Sequence, residues 1–420
     1  MTQSQIPIDD FVPRSAVMKT LTERGYINQT TASSELDASF EAGIVPAYVG
    51  FDATADSLHV GHLLPIMSLR RLQQAGHKPI VLIGGGTTRI GDPSFRSEAR
   101  PMLSEEQIAS NIEGIRKVFD RLLVFGDGPT DAIMVNNAEW LDDVHWVDML
   151  RDVGSHFSIN RMLSFDSVKA RLEKQENLSF LEFNYMILQA YDFLELSRRT
   201  GCKLQMGGAD QWGNIINGID LVRRVDRQEV FGMTAPLLST SSGVKMGKTA
   251  AGAVWLNADR LSPYDYWQFW RNTEDADVSR FLKLFTDLPM EEIARLGEAE
   301  GADLNGVKER LANEATALVH GKEAAEQACK TAKQTFEDGS AAHGLPTLEL
   351  GDEERIHGVS IVDLLVRSGL ASSKGEARRA IAGRGIRIDD ACIEDVDAAI
   401  VFRGQPMRLS HGRKRHVVIK

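Results

Sequence analysis

This sequence lacks paired cysteines and long apolar runs. Its three cysteines, Cys202, Cys329 and Cys392, are isolated from one another, which argues against a disulfide framework and against a structural zinc site. No apolar stretch approaches the roughly 20 residues of a membrane span, and the first residues do not have the pattern of a signal peptide. Internal repeats and low-complexity tracts are also absent. We therefore expect a cytoplasmic protein with no membrane partner.

The length and charge of the chain predict several domains with different partners. The 420 residues, of which 43% are hydrophobic and 25% charged, are typical of two or three globular domains. A net charge of −11 argues against nucleic acid as a partner of the whole chain. Residues 358–420 differ, because they contain 12 Lys and Arg against 7 Asp and Glu. A basic tail on an acidic body predicts local contact with a polyanion.

The first 235 residues alternate short apolar runs with helical patterns. Extended runs are predicted at 47–51, 79–86 and 132–135, and the second of these ends in three glycines. Such an alternation predicts an α/β fold, a Rossmann-like doubly wound parallel sheet with its ligand at the carboxyl ends of the strands.

The pattern changes after this region. Residues 262–336 read as helices rich in Ala, Glu and Leu, and residues 359–387 read as two short helices around Gly369, followed by strands. We therefore predict a Rossmann-like domain at 1–235, a lysine-containing loop with an α-helical domain at 236–337, a linker at 338–355 and a small α+β domain at 356–420.

Two histidines, His59 and His62, stand where the first extended run turns into a helix. Side chains at this spacing share a helix face, and a helix N-terminus is an anion site. The preceding segment 52–57 has side chains of the helix-capping type, and Asp52 and Thr54 within it are candidates to face a ligand. The motif alone is only moderately specific, since two histidines in a turn can also be hydrogen-bonded surface residues.

A second basic motif, Lys245-Met246-Gly247-Lys248-Thr249, follows much later. Paired lysines alone are most often a solvated face. Imidazoles on one side and ammonium groups on the other suit a nucleoside triphosphate that is split at its α-phosphate.

The run 180–196 is apolar almost all round, which predicts a buried helix. Within it, Tyr185, Gln189 and Asp192 lie at i, i+4 and i+7 and form one polar stripe. Buried polar groups need partners. The stripe therefore either bonds to neighbouring backbone or holds a polar ligand, and the spacing leaves both interpretations open.

The histidine and lysine motifs together resemble the two signatures of class I aminoacyl-tRNA synthetases, His-x-Gly-His and Lys-Met-Ser-Lys-Ser. Gly247 and Thr249 replace the two serines, and both lysines are retained. Segments 48–52, 91–94, 183–193 and 207–214 make the chain similar to bacterial tyrosyl-tRNA synthetases from about residue 17 to its end.

That resemblance implies an enzyme that activates L-tyrosine with ATP and then transfers the tyrosine to the 3′ end of tRNA(Tyr). The residues that match the family's tyrosine site are Tyr48 and Asp192 for the phenolic hydroxyl, Asp92, Tyr185 and Gln189 for the α-ammonium group, and Gln211 near the carboxylate. Those that match its ATP site are Asp52, Thr54, His59, His62, Asp210, Lys245 and Lys248, of which the two histidines and the two lysines are the predicted catalytic residues.

Further expectations come from the same resemblance. Arg96 and Arg100 match positions near pyrophosphate, the first with Arg in place of Lys, and Val49 stands where the family often has Cys. We expect Mg²⁺ to be carried by ATP, with no metal site of the protein's own. The family implies a homodimer, and the segment 372–389 is similar to a small RNA-binding module, so residues 356–420 are predicted to contact tRNA by shape and phosphate.

Three rival functions compete with this interpretation. A related tryptophan enzyme has no reason to place Tyr48 opposite Asp192. A small-molecule nucleotidylyltransferase with the same histidine motif is usually much shorter. An RNA-binding protein that lost catalysis would not need the intact histidines and lysines.

Overall fold

A computed structural model describes residues 11–92, 102–243, 246–249, 252–338, 345–389, 391–402, 406–412 and 415–420. The chain divides into two compact units, Met1–Leu238 and Ser239–Lys420. Among the described helices, none combines the length and the apolar composition that crossing a membrane requires.

The first unit contains six strands and ten α-helices in its described residues. The strands are β1 (Gln29–Thr30), β2 (Pro46–Asp52), β3 (Lys78–Gly84), β4 (Ile133–Asn136), β5 (Leu204–Gly208) and β6 (Phe231–Ala235). The helices are α1 (Ala16–Arg24), α2 (Ser33–Ala42), α3 (Val60–Gln74), α4 (Glu105–Phe119), α5 (Ala138–Leu141), α6 (Trp146–Asp148), α7 (Ile159–Met162), α8 (Asp166–Glu173), α9 (Phe180–Thr200) and α10 (Trp212–Val225).

The strands form one sheet in the order β1-β6-β5-β2-β3-β4. All neighbours run parallel except the edge strand β1, which is antiparallel to β6. The chain proceeds from β2 outward to β3 and β4 and then returns to the other side of β2 as β5. The strand order therefore reverses at β2, and a crevice opens at the carboxyl ends of β2 and β5. The predicted Rossmann-like fold is confirmed.

Successive residues of β2 direct their side chains to opposite faces of the sheet, as the period of a strand requires. Tyr48 packs edge-on against Phe193 of α9, with ring centroids 5.4 Å apart. Phe51 packs on the other face, against Phe119 of α4 at 5.1 Å and His62 of α3 at 6.4 Å. Helices thus cover both faces, and the position of Tyr48 along β2 directs its ring toward α9.

Helix α9 departs from the predicted fully buried segment. Ser179 caps its first turn in a capping box with Glu182, and Gly201 ends it in a left-handed conformation with φ of 67°. The helix is four residues longer than predicted, and its first turn is exposed, since Phe180 is 68% and Leu181 47% accessible to solvent. The buried part begins only after this apolar first turn.

The second unit has nine strands and eight helices in its described residues. The strands are β7 (Lys248–Thr249), β8 (Gly252–Ala253), β9 (Thr347–Leu348), β10 (Val359–Ser360), β11 (Ile386–Ile388), β12 (Ala391–Cys392), β13 (Ala399–Ile400), β14 (Met407–His411) and β15 (Arg415–Ile419). The helices are α11 (Pro263–Arg271), α12 (Val278–Phe285), α13 (Met290–Leu296), α14 (Leu304–His320), α15 (Lys322–Asp338), α16 (Asp352–His357), α17 (Ile361–Arg367) and α18 (Lys374–Ala382).

Two kinds of core stabilise the second unit. An aromatic cluster of Tyr266, Trp270, Phe281 and Phe285 joins α11 to α12. Near the C-terminus, α17 and α18 bury apolar side chains with a five-stranded sheet of order β12-β11-β14-β15-β9. The segment 338–355, predicted to be a linker, contains β9, which pairs in parallel with β15.

Candidate active site

Polar side chains converge at the carboxyl ends of four neighbouring strands. Asp52 ends β2, and Gly84 ends β3 and is followed by two more glycines and Thr87. Asn136 and Asn137 lie at the end of β4, and Gln211 follows β5. Because these strands are parallel, their carboxyl ends meet at one edge of the sheet. Helix α9 contributes its predicted polar stripe to the same place.

The two histidines lie at the start of α3 and cap it themselves. His59 is the N-cap residue and accepts a hydrogen bond at Nδ1 from the Gly61 N–H at 3.1 Å. His62 Nδ1 accepts from the His59 N–H at 3.2 Å. The expectation that side chains of 52–57 would cap this helix is therefore wrong. An Nδ1 that accepts carries no proton, so both imidazoles hold their proton on Nε2 and can donate it.

Six side chains form one continuous run of hydrogen bonds, which we call the carboxylate chain: Trp140, Asp192, Asn137, Thr87, Asp52 and Tyr185. Trp140 Nε1 donates to Asp192 Oδ1 at 2.8 Å, and Asn137 Nδ2 donates to Asp192 Oδ2 at 3.0 Å. Asn137 Nδ2 also donates to Thr87 Oγ1 at 3.0 Å. The Thr87 hydroxyl donates to Asp52 Oδ1 at 2.9 Å, and the Tyr185 hydroxyl donates to Asp52 Oδ2 at 3.2 Å.

Asp192 is the buried acid of this chain. Burial raises the pKa of its carboxyl to about 7, and the charge of Asp52 adds to the rise. The hydrogen bonds from Asn137 and Trp140 lower the pKa because they favour the charged form. Asp192 thus titrates near neutrality.

Tyr48 lies beside Asp192 and is 1% exposed. Burial, followed by the nearby charge of Asp192, raises the pKa of its hydroxyl well above the ordinary value, so the phenol stays neutral. Among the described residues its hydroxyl has no hydrogen-bond partner. A buried hydroxyl without a partner is costly, and its presence beside a buried acid marks a place for a polar ligand group.

A second cluster lies around Gln211. Its Nε2 donates to Asp92 Oδ2 at 2.9 Å, and its Oε1 accepts from Gln189 at 3.4 Å and from Asn214 at 3.1 Å. These bonds determine the orientation of both glutamine amides. The buried Oε1 of Gln189 has no partner within the described part of the chain, so this cluster contains an acceptor that its own side chains leave unsatisfied.

The structure thus brings together most of the side chains that the sequence singled out. The members of the predicted polar stripe bond to side chains of the cleft: Tyr185 to Asp52, Gln189 to Gln211, and Asp192 to Asn137 and Trp140. Asp52 and Tyr185, predicted for the ATP and tyrosine sites respectively, are in direct contact.

The remaining predicted residues are described less fully. Thr54 is exposed in the loop after β2, and Asp210 lies in a short 3-10 helix, Ala209–Gln211. Lys245, Arg96 and Arg100 lie outside the described residues, and only the backbone of Lys248, in β7, is described. Within the described ranges, His, Cys, Asp and Glu form no cluster that would hold a metal ion.

Three members of the carboxylate chain, Thr87, Asn137 and Trp140, were missed by the sequence analysis. A signal for two of them was present, because Thr87 and Asn137 follow predicted strands where a doubly wound sheet binds its ligand. Trp140 gave no such signal, since a tryptophan after a strand is most often a core residue.

Gly84 allows the side chains of Thr87 and Asp52 to approach each other within the carboxylate chain. A Cβ atom built on it would lie 2.3 Å from Asp52 Oδ1 and 2.5 Å from Thr87 Oγ1. Any side chain at this position would separate the hydroxyl from the carboxylate that it binds.

Comparison with known proteins agrees with this geometry. The family described as "tRNA synthetases class I (W and Y)" matches residues 43–337, and the family described as "Tyrosine--tRNA ligase SYY-like C-terminal domain" matches residues 336–419. The chain therefore belongs to the class I tRNA synthetases for tryptophan and tyrosine.

Individual relatives distinguish between the tryptophan and the tyrosine enzymes of this class. The tyrosine–tRNA ligase of Dinoroseobacter shibae is 59% identical over 98% of this chain and 99% of its own, and that of Zymomonas mobilis is 60% identical over 97% and 98%. A C-terminally truncated mitochondrial tyrosyl-tRNA synthetase of Aspergillus nidulans has a similar structure, with a TM-score of 0.70 and 31% identity over 77% of this chain and 95% of its own. Within the class, the chain belongs to the tyrosine–tRNA ligases, as predicted.

The close approach at Gly84 gives a prediction about stability. Gly84→Ala should lower the free energy of unfolding of the first unit by about 1–3 kcal/mol, because the added methyl group overpacks a buried network. Gly50→Ala is the matched control in β2, since its Cβ would lie no closer than 3.9 Å to any neighbour. It should change stability by less than about 1 kcal/mol. Chemical denaturation measures both, and equal losses would contradict the argument.

Proposed function

We propose that the cleft of the first unit binds one L-tyrosine molecule by both of its ends. The carboxylate chain binds the phenolic end, and the Gln211 cluster binds the ammonium end. As a tyrosine–tRNA ligase, the chain forms tyrosyl-adenylate and pyrophosphate from L-tyrosine and ATP, and then transfers tyrosine to the 3′ end of tRNA(Tyr). The observation that carries the assignment of the cleft is the unpartnered Tyr48 hydroxyl beside the buried Asp192 carboxyl.

The phenolic end of the substrate fits Tyr48 and Asp192. A phenol can donate one hydrogen bond and accept another. Its oxygen therefore accepts a hydrogen bond from the Tyr48 hydroxyl, and its own O–H donates one to the Asp192 carboxylate. Phenylalanine would leave the Tyr48 hydroxyl without a partner and would deprive Asp192 of the further hydrogen bond that it can accept. Since leaving a buried polar or charged group unpaired costs about 1–3 kcal/mol or more, the cleft favours tyrosine strongly.

The ammonium end fits the other cluster. An α-ammonium group has three protons to donate, and the cleft offers the Asp92 carboxylate, the unpartnered Oε1 of Gln189 and the Tyr185 oxygen. Gln211, which organises this cluster, is placed near the substrate carboxylate.

The chemical step needs orientation and charge neutralisation. The tyrosine carboxylate is already a nucleophile, so its oxygen attacks the α-phosphorus without a general base while the bond to the β-phosphate oxygen breaks and pyrophosphate leaves. His59 and His62, with protons on Nε2, donate to phosphate oxygens, and Asp52, Thr54 and Asp210 line the nucleotide side. Lys245 and Lys248 neutralise the leaving pyrophosphate, and Mg²⁺ enters with ATP.

The second step and its partner involve the rest of the chain. The 3′-terminal ribose hydroxyl of the tRNA attacks the acyl carbon, and AMP leaves. Residues 356–420 contact the tRNA, which is supported by the exposed Arg378 and Arg379 on α18 and by Arg387 on β11. Lys374 contributes less, because its ammonium pairs with Asp363 at 2.8 Å. This proposal also includes domain borders at residues 235, 337 and 355. It also includes a cytoplasmic location for the protein.

A homodimer is supported by the exposed apolar side chains of one segment of the first unit, which we call the apolar surface. Eight of the fourteen exposed large hydrophobic side chains in the described residues lie between 146 and 181. They are Trp146, Val147, Leu150, Ile159, Leu163, Leu172, Phe180 and Leu181. Patches of this kind mark interaction sites, and a second copy of the chain is the occupant that the family implies.

The substrate assignment is tested by ATP–pyrophosphate exchange with each of the twenty amino acids. Tyrosine should support exchange far better than any other. Tyr48→Phe should reduce the preference for tyrosine over phenylalanine about three- to tenfold, and Asp192→Asn about tenfold or more, as expected for loss of a neutral and a charged hydrogen bond. Exchange that depends on tryptophan, or an unchanged preference in both variants, would overturn the assignment.

The pKa of Asp192 gives a pH dependence. Burial raises this pKa to about 7, whereas a hydrogen bond donated by the substrate phenol favours the ionised carboxylate. Tyrosine affinity should therefore rise with pH up to about 7 and level off above it, with a loss of up to about tenfold per unit below. Calorimetric titration at several pH values checks this, and proton release should accompany binding near pH 7. Asp192→Asn should remove the dependence; a wild-type affinity that is constant with pH would contradict it.

The apolar surface gives a prediction about assembly. Phe180→Lys should shift the protein toward the monomer in sedimentation experiments at micromolar concentration, because it places a charge in the proposed interface. Val124→Lys is the matched control, since Val124 is 66% exposed, as Phe180 is 68%, but lies in the loop after α4. A dimer that withstands Phe180→Lys but not Val124→Lys would place the interface elsewhere.

A further inference from the structure

Thr87 lies in the middle of the carboxylate chain. Its hydroxyl accepts from Asn137, which holds Asp192, and donates to Asp52, which accepts from Tyr185. The Thr87 hydroxyl thus connects Asp192, at the end of the cleft proposed for the phenol, to Asp52 and Tyr185. These two residues lie at the end proposed for the ammonium group and the nucleotide.

The direction of every bond in this connection is determined by the geometry. The Gly86 N–H donates to Asn137 Oδ1 at 2.8 Å, so the amide nitrogen of Asn137 faces the other way. Its two protons go to Asp192 Oδ2 and Thr87 Oγ1, both at 3.0 Å. The single proton of Thr87 is left for Asp52. Flipping the Asn137 amide would turn its oxygen toward the Asp192 carboxylate and its nitrogen toward the Gly86 N–H, so neither contact could be a hydrogen bond.

Burial makes the hydroxyl hard to replace. Thr87 is 3% exposed and Asn137 1%, and the approach of Thr87 to Asp52 is too close to admit even a methyl group on Gly84. In Thr87→Val a methyl group takes the place of the hydroxyl, so it fills the space in which water would have to bridge the two halves of the carboxylate chain.

We propose that Thr87 is a positioning residue that couples recognition of the substrate hydroxyl at Asp192 to the arrangement of Asp52 and Tyr185. The inference rests on the roles proposed above for these three residues. When the phenol donates to Asp192, Asn137 stays bound to that carboxylate and keeps Thr87 aligned with Asp52. Tyrosine thereby promotes its own activation, as well as binding more tightly than phenylalanine.

Two substitutions at Thr87 separate the hydroxyl from the methyl group. Thr87→Val keeps the shape and removes the hydroxyl, whereas Thr87→Ser keeps the hydroxyl and removes the methyl group. Thr87→Val should reduce kcat/KM for tyrosine in ATP–pyrophosphate exchange about ten- to a hundredfold, with part of the loss in kcat, and should reduce the preference for tyrosine over phenylalanine. Thr87→Ser should stay within about threefold of the wild type.

Thr88→Val is the matched control. Thr88 is also 3% exposed, and its hydroxyl also makes two hydrogen bonds, but both are with backbone groups. It accepts from the Ala53 N–H and donates to the Gly84 carbonyl. It should not change the preference for tyrosine over phenylalanine. An equal change in Thr88→Val and Thr87→Val would reduce Thr87 to a purely structural residue and overturn the proposal.

A double-mutant cycle tests the coupling itself. Asn137→Ala and Tyr185→Phe alter opposite ends of the connection, and their effects on kcat should be non-additive by about threefold or more in the Thr87 protein. In the Thr87→Val protein the two effects should become additive. Additive effects in both proteins would refute the coupling while leaving the substrate site intact. An unchanged amino-acid preference in Asp192→Asn and Tyr48→Phe would instead refute the substrate site.

Discussion

The cleft depends on the burial of one carboxyl group. Asp192 is 2% exposed, and an acid in such a place is stable only if donors surround it. Trp140 and Asn137 supply two donors, and their bonds lower the pKa of Asp192 against a larger effect of burial. The result is an acid that titrates near neutrality and retains capacity to accept a further hydrogen bond. In the function that we propose, the substrate hydroxyl donates to Asp192, and its oxygen accepts a hydrogen bond from the neighbouring Tyr48.

The sheet topology explains why the donors and acids lie together. Residues far apart in sequence, from Asp52 to Asp192, meet because parallel strands place their carboxyl ends at one edge. The close approach at Gly84 then brings the hydroxyl of Thr87 against Asp52. The two ends of the cleft, for which we propose recognition and chemistry, are thereby joined through side chains that belong to three strand ends and one helix. A small shift in any of these elements would alter both ends together.

The sequence predicted the elements that repeat a simple physical pattern. Short apolar runs that alternate with helical patterns indicated the parallel strands, and the spacing of Tyr185, Gln189 and Asp192 indicated one face of a helix. It did not predict which partners these side chains take, because hydrogen bonds between distant segments leave no local signal. The self-capping of His59 was missed for a different reason, because histidine is uncommon as an N-cap residue. The exposed start of α9 was missed because apolar composition alone does not distinguish a buried turn from an exposed one.

A crystal structure with a non-hydrolysable analogue of tyrosyl-adenylate tests the central claim most directly. The account predicts that the phenolic oxygen lies within about 3 Å of both the Tyr48 hydroxyl and an Asp192 carboxylate oxygen, while Asp192 keeps its bonds to Trp140 and Asn137. A ligand whose phenol lies away from Asp192, or an Asp192 side chain that has turned from the cleft, would contradict it.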